Sequence, residues 1–430
     1  MHLMAQLRPL STRLQAVECV CPDETCPYQP SLFPVRSDLP PLIMHLTADA
    51  RYPSLEAFLT TESRLPLPFL LELVAFGAVY VKLSARSKRA ERLLPGTRLD
   101  LAVQRGSYAR VHVNPRRYPN FYELGEGGWV ARVATGHECA DEIVVVDKPP
   151  GVVPTVPTVD NAVENVVTAV TLAVAASVPG ASPASTSTST SYAAPPLLFA
   201  TGRLDACTSG VVCFARSADA AKRINDCLKT RAVRKVYRAL CLADPRDPSA
   251  RNLAAGTVRH LFRRKSKAHD NAKPTLLRSF DASLLPDPGA PASEQDLTWQ
   301  LAELRIIRSR PVVMLPPEAS GELGNARAPL RLVEVDIELI TGRTHQIRLQ
   351  MAALNCPLYG DSRYAPVRGL LDDDLDTSPS RGEFGPEPKE RVGLHCSALT
   401  LPGGTLPGQS DAPLELRASE PWWSALLLPG

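Results

Sequence analysis

One junction constrains this chain more than any other segment. A polar loop, Gly202-Arg203-Leu204-Asp205-Ala206-Cys207-Thr208-Ser209-Gly210, runs directly into the apolar residues 211–215. That run is rich in β-branched residues and follows a Thr-Ser-Gly turn, so it predicts a short buried strand. Such a strand would hold the preceding loop rigidly and aim the carboxylate of Asp205 at a ligand. Alternatively, Asp205 caps the turn by accepting N–H bonds from Cys207 or Thr208.

The composition is that of a large folded protein with inserted segments. A chain of 430 residues can bury a large core and add an accessory domain. Its 48 Lys and Arg against 45 Asp and Glu give a net charge of +3, which favours no particular partner. The 41 Pro residues indicate extended insertions. The longest apolar run, residues 166–178, is too short to cross a bilayer, so we expect no membrane partner.

The cysteines and the N-terminal residues bear on the compartment. Ten Cys residues are scattered without a disulfide framework, which favours a reducing intracellular compartment, the cytoplasm or nucleus ahead of the mitochondrion. Three of them lie between residues 19 and 26, but they lack the paired spacing that zinc requires, so we expect no metal site. Residues 1–17 contain two Arg and no acid, a thin match to a transit peptide, and we favour an ordinary flexible terminus.

Composition and periodicity divide the chain into three regions. We expect a poorly ordered segment at 1–40, a small helix–strand module at 41–125 in which Pro66 and Pro68 separate two helices, and a larger domain at 140–430. Apolar runs and alternation in the larger domain predict strands at 142–147, 211–215, 236–242, 297–308, 332–339 and 394–399. Helical patterns run from about 158 to 176, from 217 to 233 and from 342 to 354. Pro-rich or low-complexity insertions are expected near 180–195, 281–296, 315–328 and 366–391.

Five segments together resemble the motifs of RluA-type RNA pseudouridine synthases. The polar loop matches the catalytic motif, although the family usually has His where this chain has Gly202. The other matches, in the family's order, are 146–151 (VDKPPG), 234–240 (RKVYRAL), 341–348 (TGRTHQIR) and 360–364 (GDSRY). The resemblance covers roughly residues 142 to 400. It implies an α+β fold, with a catalytic domain on a mixed, largely antiparallel sheet and a small N-terminal α/β module.

The resemblance also implies three catalytic residues. Asp205 is the expected nucleophile, and Arg348 is its expected partner, since an aspartate in an apolar pocket needs a nearby guanidinium to favour its charged form. Tyr237 is expected to lie against the target base and to take part in removing the proton at carbon 5. Without the resemblance, Arg348 would be read as a surface or ion-pair residue and Tyr237 as an aromatic packed within a strand.

Five further residues are expected to bind substrate: Arg203, Thr208, Arg343, His345 and Gln346. Arg203 would position the flipped nucleotide or the neighbouring backbone. Arg343 is a second, weaker candidate for the partner of Asp205 and could bind phosphate instead. His345 and Gln346 would form hydrogen bonds within their motif, and a purely structural histidine is an equal alternative for His345.

A basic run predicts contact with RNA outside the catalytic motifs. Residues 259–273 contain six cations, of which we expect Arg263, Arg264, Lys265 and Lys267 to bind RNA. The alternative is a solvated face. The module at 41–125 resembles the RNA-binding module of many family members, and the alternative is a local α/β subdomain without that role.

The sequence therefore predicts a monomeric RNA pseudouridine synthase that acts by base flipping on RNA of unidentified type. It contains no Gly-x-Gly-x-x-Gly or Gly-Lys-Ser/Thr loop, and the reaction needs no cofactor. One alternative is a catalytically inactive RNA-binding or ribosome-assembly protein of the same fold. Another is a hydrolase with paired carboxylates, for which Asp361 is the visible second acid, although it is more simply a turn residue after Gly360.

Overall fold

The computed structural model describes residues 42–83, 89–93, 97–113, 141–151, 155–176, 198–242, 253–263, 277–285, 299–315, 329–371 and 391–428. The predicted N-terminal segment lies outside these residues, as do most of the four predicted insertions. The chain forms two units, the first made of residues 1–128 and 153–195 and the second of residues 129–152 and 196–430.

The first unit is a four-stranded antiparallel sheet with helices, as far as its residues are described. Strand order is β1-β4-β2-β3. The elements are β1 (Leu42–Thr47), α1 (Leu55–Ser63), α2 (Leu67–Ala75), β2 (Val79–Lys82), β3 (Glu91–Arg92), β4 (Tyr108–Val113) and α3 (Val166–Ala176). The hydroxyl of Ser54 accepts a 3.0 Å hydrogen bond from the Ala57 N–H and begins α1. Pro68 lies in the first turn of α2, so the predicted separation of two helices by prolines is confirmed.

Residues 153–195 group with the first unit, although composition and periodicity predict that they belong to the larger domain. The hydrogen bonds that anchor this segment explain the grouping. The Ala162 N–H donates to the Phe76 carbonyl at 2.7 Å, and the Tyr80 hydroxyl donates to the Val159 carbonyl at 2.9 Å. Helix α3 follows this segment. The chain therefore does not cross once between the units near residue 140: it enters the second unit at residue 129, returns to the first at residue 153 and enters the second again at residue 196.

The second unit contains one long mixed sheet. Its elements are β5 (Ile143–Lys148), β6 (Phe199–Ala200), β7 (Ser209–Ala215), α4 (Ala218–Lys229), β8 (Arg234–Cys241), β9 (Gly256–Arg263), β10 (Arg278–Ser279), β11 (Trp299–Met314), β12 (Leu330–Leu339), α5 (Gln346–Ala353), β13 (Leu394–Leu401) and β14 (Leu414–Arg417). Strand order is β10-β9-β11-β12-β8-β13-β7-β5, with β14 beside β13 and β6 beside β7. Within the described strands every pairing is antiparallel except β7 with β13. The predicted α+β class with a largely antiparallel sheet is confirmed.

The strand that follows the polar loop is β7, and it pairs in parallel with β13. All seven residues of β7 are buried, as expected for an apolar run flanked on both sides by other strands. Gly210 lies opposite Cys396 and has φ 109°, a conformation that favours glycine. A Cβ atom at Gly210 would lie 2.2 Å from the Cys396 carbonyl oxygen, so only glycine allows this close approach.

Helix α5 begins later than its sequence pattern predicts. The pattern starts at Gly342, but the helix starts at Gln346, because His345 adopts a left-handed conformation with φ 54°. Residues 342–345 therefore form a loop, and it brings the predicted site residues of this segment to one side of the helix start.

Candidate active site

A cavity of about 280 Å³ in the second unit contains the predicted catalytic residues. The polar loop before β7, the face of β8, strand β13 and the loop and first turn of α5 line it. Asp205, Tyr237 and Arg348 all contribute to this lining. The predicted substrate-binding residues line the same cavity: Arg203, Thr208, Arg343, His345 and Gln346. Segments that are far apart in the sequence thus meet in one space.

The carboxylate of Asp205 is partly open to that space. Its side chain is 34% exposed. The turn is closed through the backbone, since the Thr208 N–H donates to the Asp205 carbonyl at 3.0 Å. The carboxylate is left to face the two nitrogen-bearing side chains described next.

Arg348 approaches Asp205 from the first turn of α5. One of its terminal nitrogens, Nη1, lies 3.8 Å from Oδ2 of Asp205. The side chain is only 1% exposed. Its Nε and Nη2 donate to the two oxygens of Asp361 at 2.8 and 2.9 Å, which is a bidentate pair. Asp361 therefore fixes the guanidinium and leaves Nη1 directed toward Asp205.

Asp361 holds the side chain of Arg348, a role that its position after Gly360 did not indicate. The turn is real, because its Oδ1 also accepts N–H bonds from Arg363 and Tyr364 at 3.3 Å each. The side chain of Asp361 is fully buried and paired with Arg348. A carboxylate held in this way is not available as the second acid of a hydrolase. The GDSRY motif marks Asp361 in the sequence, but its pairing with Arg348 depends on the fold.

His345 presents an N–H group to Asp205. Its Nδ1 lies 3.3 Å from Nη1 of Arg348 and 2.8 Å from the hydroxyl of Tyr364. A guanidinium can only donate, so Nδ1 is the acceptor and the ring proton is on Nε2. Nε2 lies 3.6 Å from Oδ1 of Asp205. The left-handed backbone of His345 sets this orientation, a local strain of the kind found at functional sites.

Tyr237 contributes a neutral phenol on strand β8. Burial raises the pKa of Tyr237 well above its ordinary value, and a hydrogen bond with the Cys396 thiol and the charge of Asp205 act in the same direction. Burial also raises the pKa of Cys396 to about 12. Both groups are therefore protonated at neutral pH. The ring is suited to packing against a planar base, and the hydroxyl is held by its neighbour.

Lys148 is a second residue that sequence reasoning did not assign to the site. It ends β5 and is almost wholly buried. Its ammonium donates to the carbonyls of Pro149, Ala206 and Thr208 at 2.9, 2.9 and 2.8 Å. Two of these carbonyls belong to the loop that carries Asp205, so Lys148 braces that loop from behind. Burial lowers the pKa of Lys148 to about 8. A charged residue at the end of an apolar strand was the available signal.

Gln346 holds the loop that precedes α5. Its side-chain oxygen accepts from the Thr341 hydroxyl at 2.9 Å and from the Arg343 N–H at 3.0 Å. Its amide nitrogen donates to the Glu303 carbonyl at 3.1 Å and to Gln350 at 2.9 Å. These four hydrogen bonds saturate the amide within the protein.

The other three predicted substrate-binding residues differ in how they are held. Arg343 donates from Nε to the Leu301 carbonyl at 3.3 Å. The hydroxyl of Thr208 is buried and has no hydrogen-bond partner among the described residues. Arg203 is exposed and makes no ion pair within the described part of the chain.

Other predictions fall outside this site. Arg263 is the last residue of β9, and its side chain lies outside the described residues, as do Arg264, Lys265 and Lys267. Within the described ranges, no group of three or more His, Cys, Asp or Glu residues is arranged to hold a metal ion. No described helix is long and apolar enough to span a membrane.

Comparison with known proteins finds one matching family and several relatives. Residues 142–353 match the model of the RNA pseudouridylate synthase family. The chain is 24% identical over 446 residues to RNA pseudouridine synthase 6, chloroplastic, of Arabidopsis thaliana, covering 90% of this chain and 82% of that protein. It is 29% identical over 218 residues to pseudouridylate synthase RPUSD4, mitochondrial, of Xenopus tropicalis, covering 49% of this chain and 60% of that protein.

A solved structure, human RNA pseudouridylate synthase domain containing 4, matches with a TM-score of 0.41 and 20% identity, covering 71% of this chain and 94% of that one. The family match spans the segment that carries Asp205, Tyr237 and Arg348. The resemblance seen in the motifs is thereby confirmed, and residues 142–353 of this chain belong to the RNA pseudouridylate synthase family.

Proposed function

We propose that this chain converts uridine to pseudouridine in RNA with Asp205 as its nucleophile. The observation that carries the proposal is the meeting of Asp205, Arg348 and Tyr237 in one cavity. A uridine within folded RNA cannot reach a carboxylate in a cavity, so its base must leave the stack. The lining of the cavity offers a flat phenol for that base and a partly exposed carboxylate for the sugar.

The reaction is an isomerisation, and the site supplies groups for each part of it. The bond from the base nitrogen N1 to ribose C1′ breaks, and a bond from carbon 5 of uracil to C1′ forms. Carbon 5 loses its proton, and N1 gains one. The carboxylate of Asp205 stabilises or bonds the sugar while the base turns. Nη1 of Arg348 and the Nε2–H of His345 orient the two carboxylate oxygens.

Tyr237 lies against the base in this proposal. Because its pKa is raised well above the ordinary value, the phenol remains neutral at physiological pH. It therefore contributes its ring surface and a hydroxyl dipole. Arg203, exposed at the mouth of the cavity, contacts the backbone of the extruded nucleotide.

The rival function is a silent RNA-binding or ribosome-assembly protein. Such a protein needs cations on its surface but does not need a buried Arg348 aligned by Asp361 toward a partly exposed carboxylate. Burying that ion pair is costly unless its geometry is well satisfied. The arrangement therefore favours catalysis.

We also propose that the first unit contributes RNA contacts through one face of its sheet. The register places His45, Arg110 and Tyr80 opposite one another, with Lys82 opposite Tyr108. The guanidinium of Arg110 lies 4.6 Å from the centre of the Tyr80 ring. Cations interleaved with aromatic rings suit phosphates and unstacked bases. The other face of the sheet is apolar and forms the core of this unit.

The RNA class, the compartment and the assembly state are proposals as well. The Arabidopsis relative is named chloroplastic and the Xenopus relative mitochondrial, so we propose an organelle in place of the cytoplasm or nucleus expected from the sequence. Fractionation of cells that express the tagged chain tests this. We propose a monomer that acts on transfer, ribosomal or messenger RNA.

The basic run at 263–267 stays a prediction of additional RNA contacts.

The decisive experiment measures tritium release from RNA that carries uridine labelled at carbon 5. The parent protein should release label, and Asp205→Asn should release none while still binding the RNA. Asp219→Asn, on the exposed surface of α4 next to Arg223, is the matched control and should behave as the parent. Undiminished release by Asp205→Asn would remove Asp205 from the mechanism. Absence of release by the parent from labelled transfer, ribosomal and messenger RNA would favour the silent binder.

A further inference from the structure

Strand β8 has two faces that treat their cations differently. Arg234 and Arg238 lie on one face and pair across the sheet with Glu338 and Asp336, each at 3.5 Å. Lys235 lies on the other face, which it shares with Tyr237 because side chains alternate along a strand. Strand β8 therefore pairs its outward cations with acids and directs one cation into the cavity.

Lys235 has no acidic partner among the described residues. The group nearest to it electrostatically is the Cys396 thiol, whose pKa is raised to about 12 by burial, so that this neighbour is neutral. Burial also lowers the pKa of Lys235. A Cβ atom at Gly342 would lie 3.3 Å from its Nζ, so the ammonium lies over the loop that precedes α5. A half-buried ammonium without a counter-charge is unusual in a folded protein.

The charges that line the cavity are unbalanced in the same direction. The charge of Arg348 is matched by Asp361. Two further cations that line the described cavity are Arg203 and Lys235, against the single carboxylate of Asp205. A positive excess of this kind suits an anionic ligand such as the backbone of a nucleic acid.

We infer that Lys235 binds a backbone phosphate of the nucleotide whose base lies against Tyr237. The inference rests on the proposed function and assigns a residue to its substrate. The two side chains leave the same face of β8 two positions apart, about 6.6 Å along the strand. A base on the Tyr237 ring therefore has its backbone phosphate within reach of the ammonium. A compact, strongly hydrated ammonium binds phosphate as a point charge.

The first test measures RNA binding over a salt series in the Asp205→Asn background, in which no turnover occurs. The probe is an in vitro transcript of ribosomal or transfer RNA. Lys235→Met should weaken binding by about tenfold or more, since a charge-assisted hydrogen bond is lost. It should also reduce the slope of log K against log salt by about 0.7, the value for one phosphate of a single strand. Lys235→Arg should retain most of that slope.

A matched control separates this site from general charge effects. Lys222→Met removes an exposed cation of α4, paired at the surface with Asp226, and should change neither affinity nor slope. An unchanged slope for Lys235→Met, or an equal change for Lys222→Met, would overturn the assignment. Thermal unfolding should show no loss of stability in Lys235→Met, since an apolar chain replaces an unpaired ammonium. If that variant unfolds early, Lys235→Gln is measured in its place.

The second test uses turnover to distinguish the two proposals. With tritiated RNA, Lys235→Met should raise KM far more than it lowers kcat, because the phosphate contact is made before and during the reaction alike. A fall in kcat at unchanged KM would contradict phosphate binding. If the parent protein releases no label, the proposed isomerisation fails, but the salt slopes still test Lys235.

Discussion

Asp205 is surrounded by groups that act on it from different directions. Arg348 and His345 face its two oxygens, and Lys148 holds the loop behind it. The motif resemblance predicted Asp205 and Arg348 from the sequence. It did not predict that Asp361 would pair with Arg348, because thirteen residues separate them and only the fold brings the side chains together. Nor could the three carbonyls around Lys148 be foreseen, since their positions depend on the loop.

The pair of Arg348 and Asp361 should be sensitive to loss of one partner. Arg348→Met leaves a fully buried carboxylate without its cation, so we expect it to lower the free energy of unfolding by about 3–5 kcal/mol. Urea denaturation measures this loss. The double variant Arg348→Met with Asp361→Leu should be closer to the parent in stability than Arg348→Met alone. A double variant that loses as much as the sum of both single changes would contradict the coupling.

The activity should decline above neutral pH through Lys148. Its ammonium has three protons for three carbonyls, and the neutral amine has two, so one loop carbonyl loses its donor as pH rises through about 8. Folding lowers this pKa, so the unfolded chain binds the proton more tightly, and between pH 8 and 10.5 the group adds stability as pH rises. Tritium release should therefore fall while the fold is retained. The residual activity of Lys148→Met should lack this alkaline decline.

At the scale of elements, the register of β7 depends on Gly210. Alanine there would meet the Cys396 carbonyl at 2.2 Å and would require φ near 109°. We expect Gly210→Ala to reduce the free energy of unfolding by roughly 2–6 kcal/mol, from strain and overpacking together. Gly404→Ala is the control, since Gly404 has φ 69° but no atom within 4 Å of its Cβ position, and it should cost only about 1–2 kcal/mol. Equal losses of unfolding free energy in the two variants would show that the positive φ alone causes the loss, and that the close contact with Cys396 adds nothing.

Most strands of the second unit could be predicted, and the departures have physical causes. The alternation at 332–339 corresponds to β12 at Leu330–Leu339, because one face of that strand is buried and the other carries acids paired with arginines. Strand β11 extends to Met314, beyond the predicted end at 308, because pairing with β12 outweighs the proline at 311. The late start of α5 follows from the contacts of His345, which no local pattern encodes.

At the scale of the whole molecule, the proposed function gives each of the two units its own RNA contacts. Changing Lys82 and Tyr108 to alanine should weaken RNA binding by about tenfold, if each contributes as exposed stacking and phosphate contacts usually do. The value of kcat for tritium release should remain that of the parent, since these residues lie in the first unit. Filter binding and steady-state kinetics measure the two effects. Loss of kcat at unchanged affinity would contradict an auxiliary role.

The balance between Arg348 and Asp361 has a consequence for reactivity. The positive charge of the Arg348 guanidinium is balanced by the carboxylate of Asp361, with which it shares two N–H groups. In the proposed reaction, Nη1 of Arg348 therefore orients Asp205, and the lone pairs of the carboxylate stay available to an electron-poor sugar carbon. Asp361 does not face the substrate in this proposal, yet by balancing the charge of Arg348 it sets the nucleophilicity of Asp205.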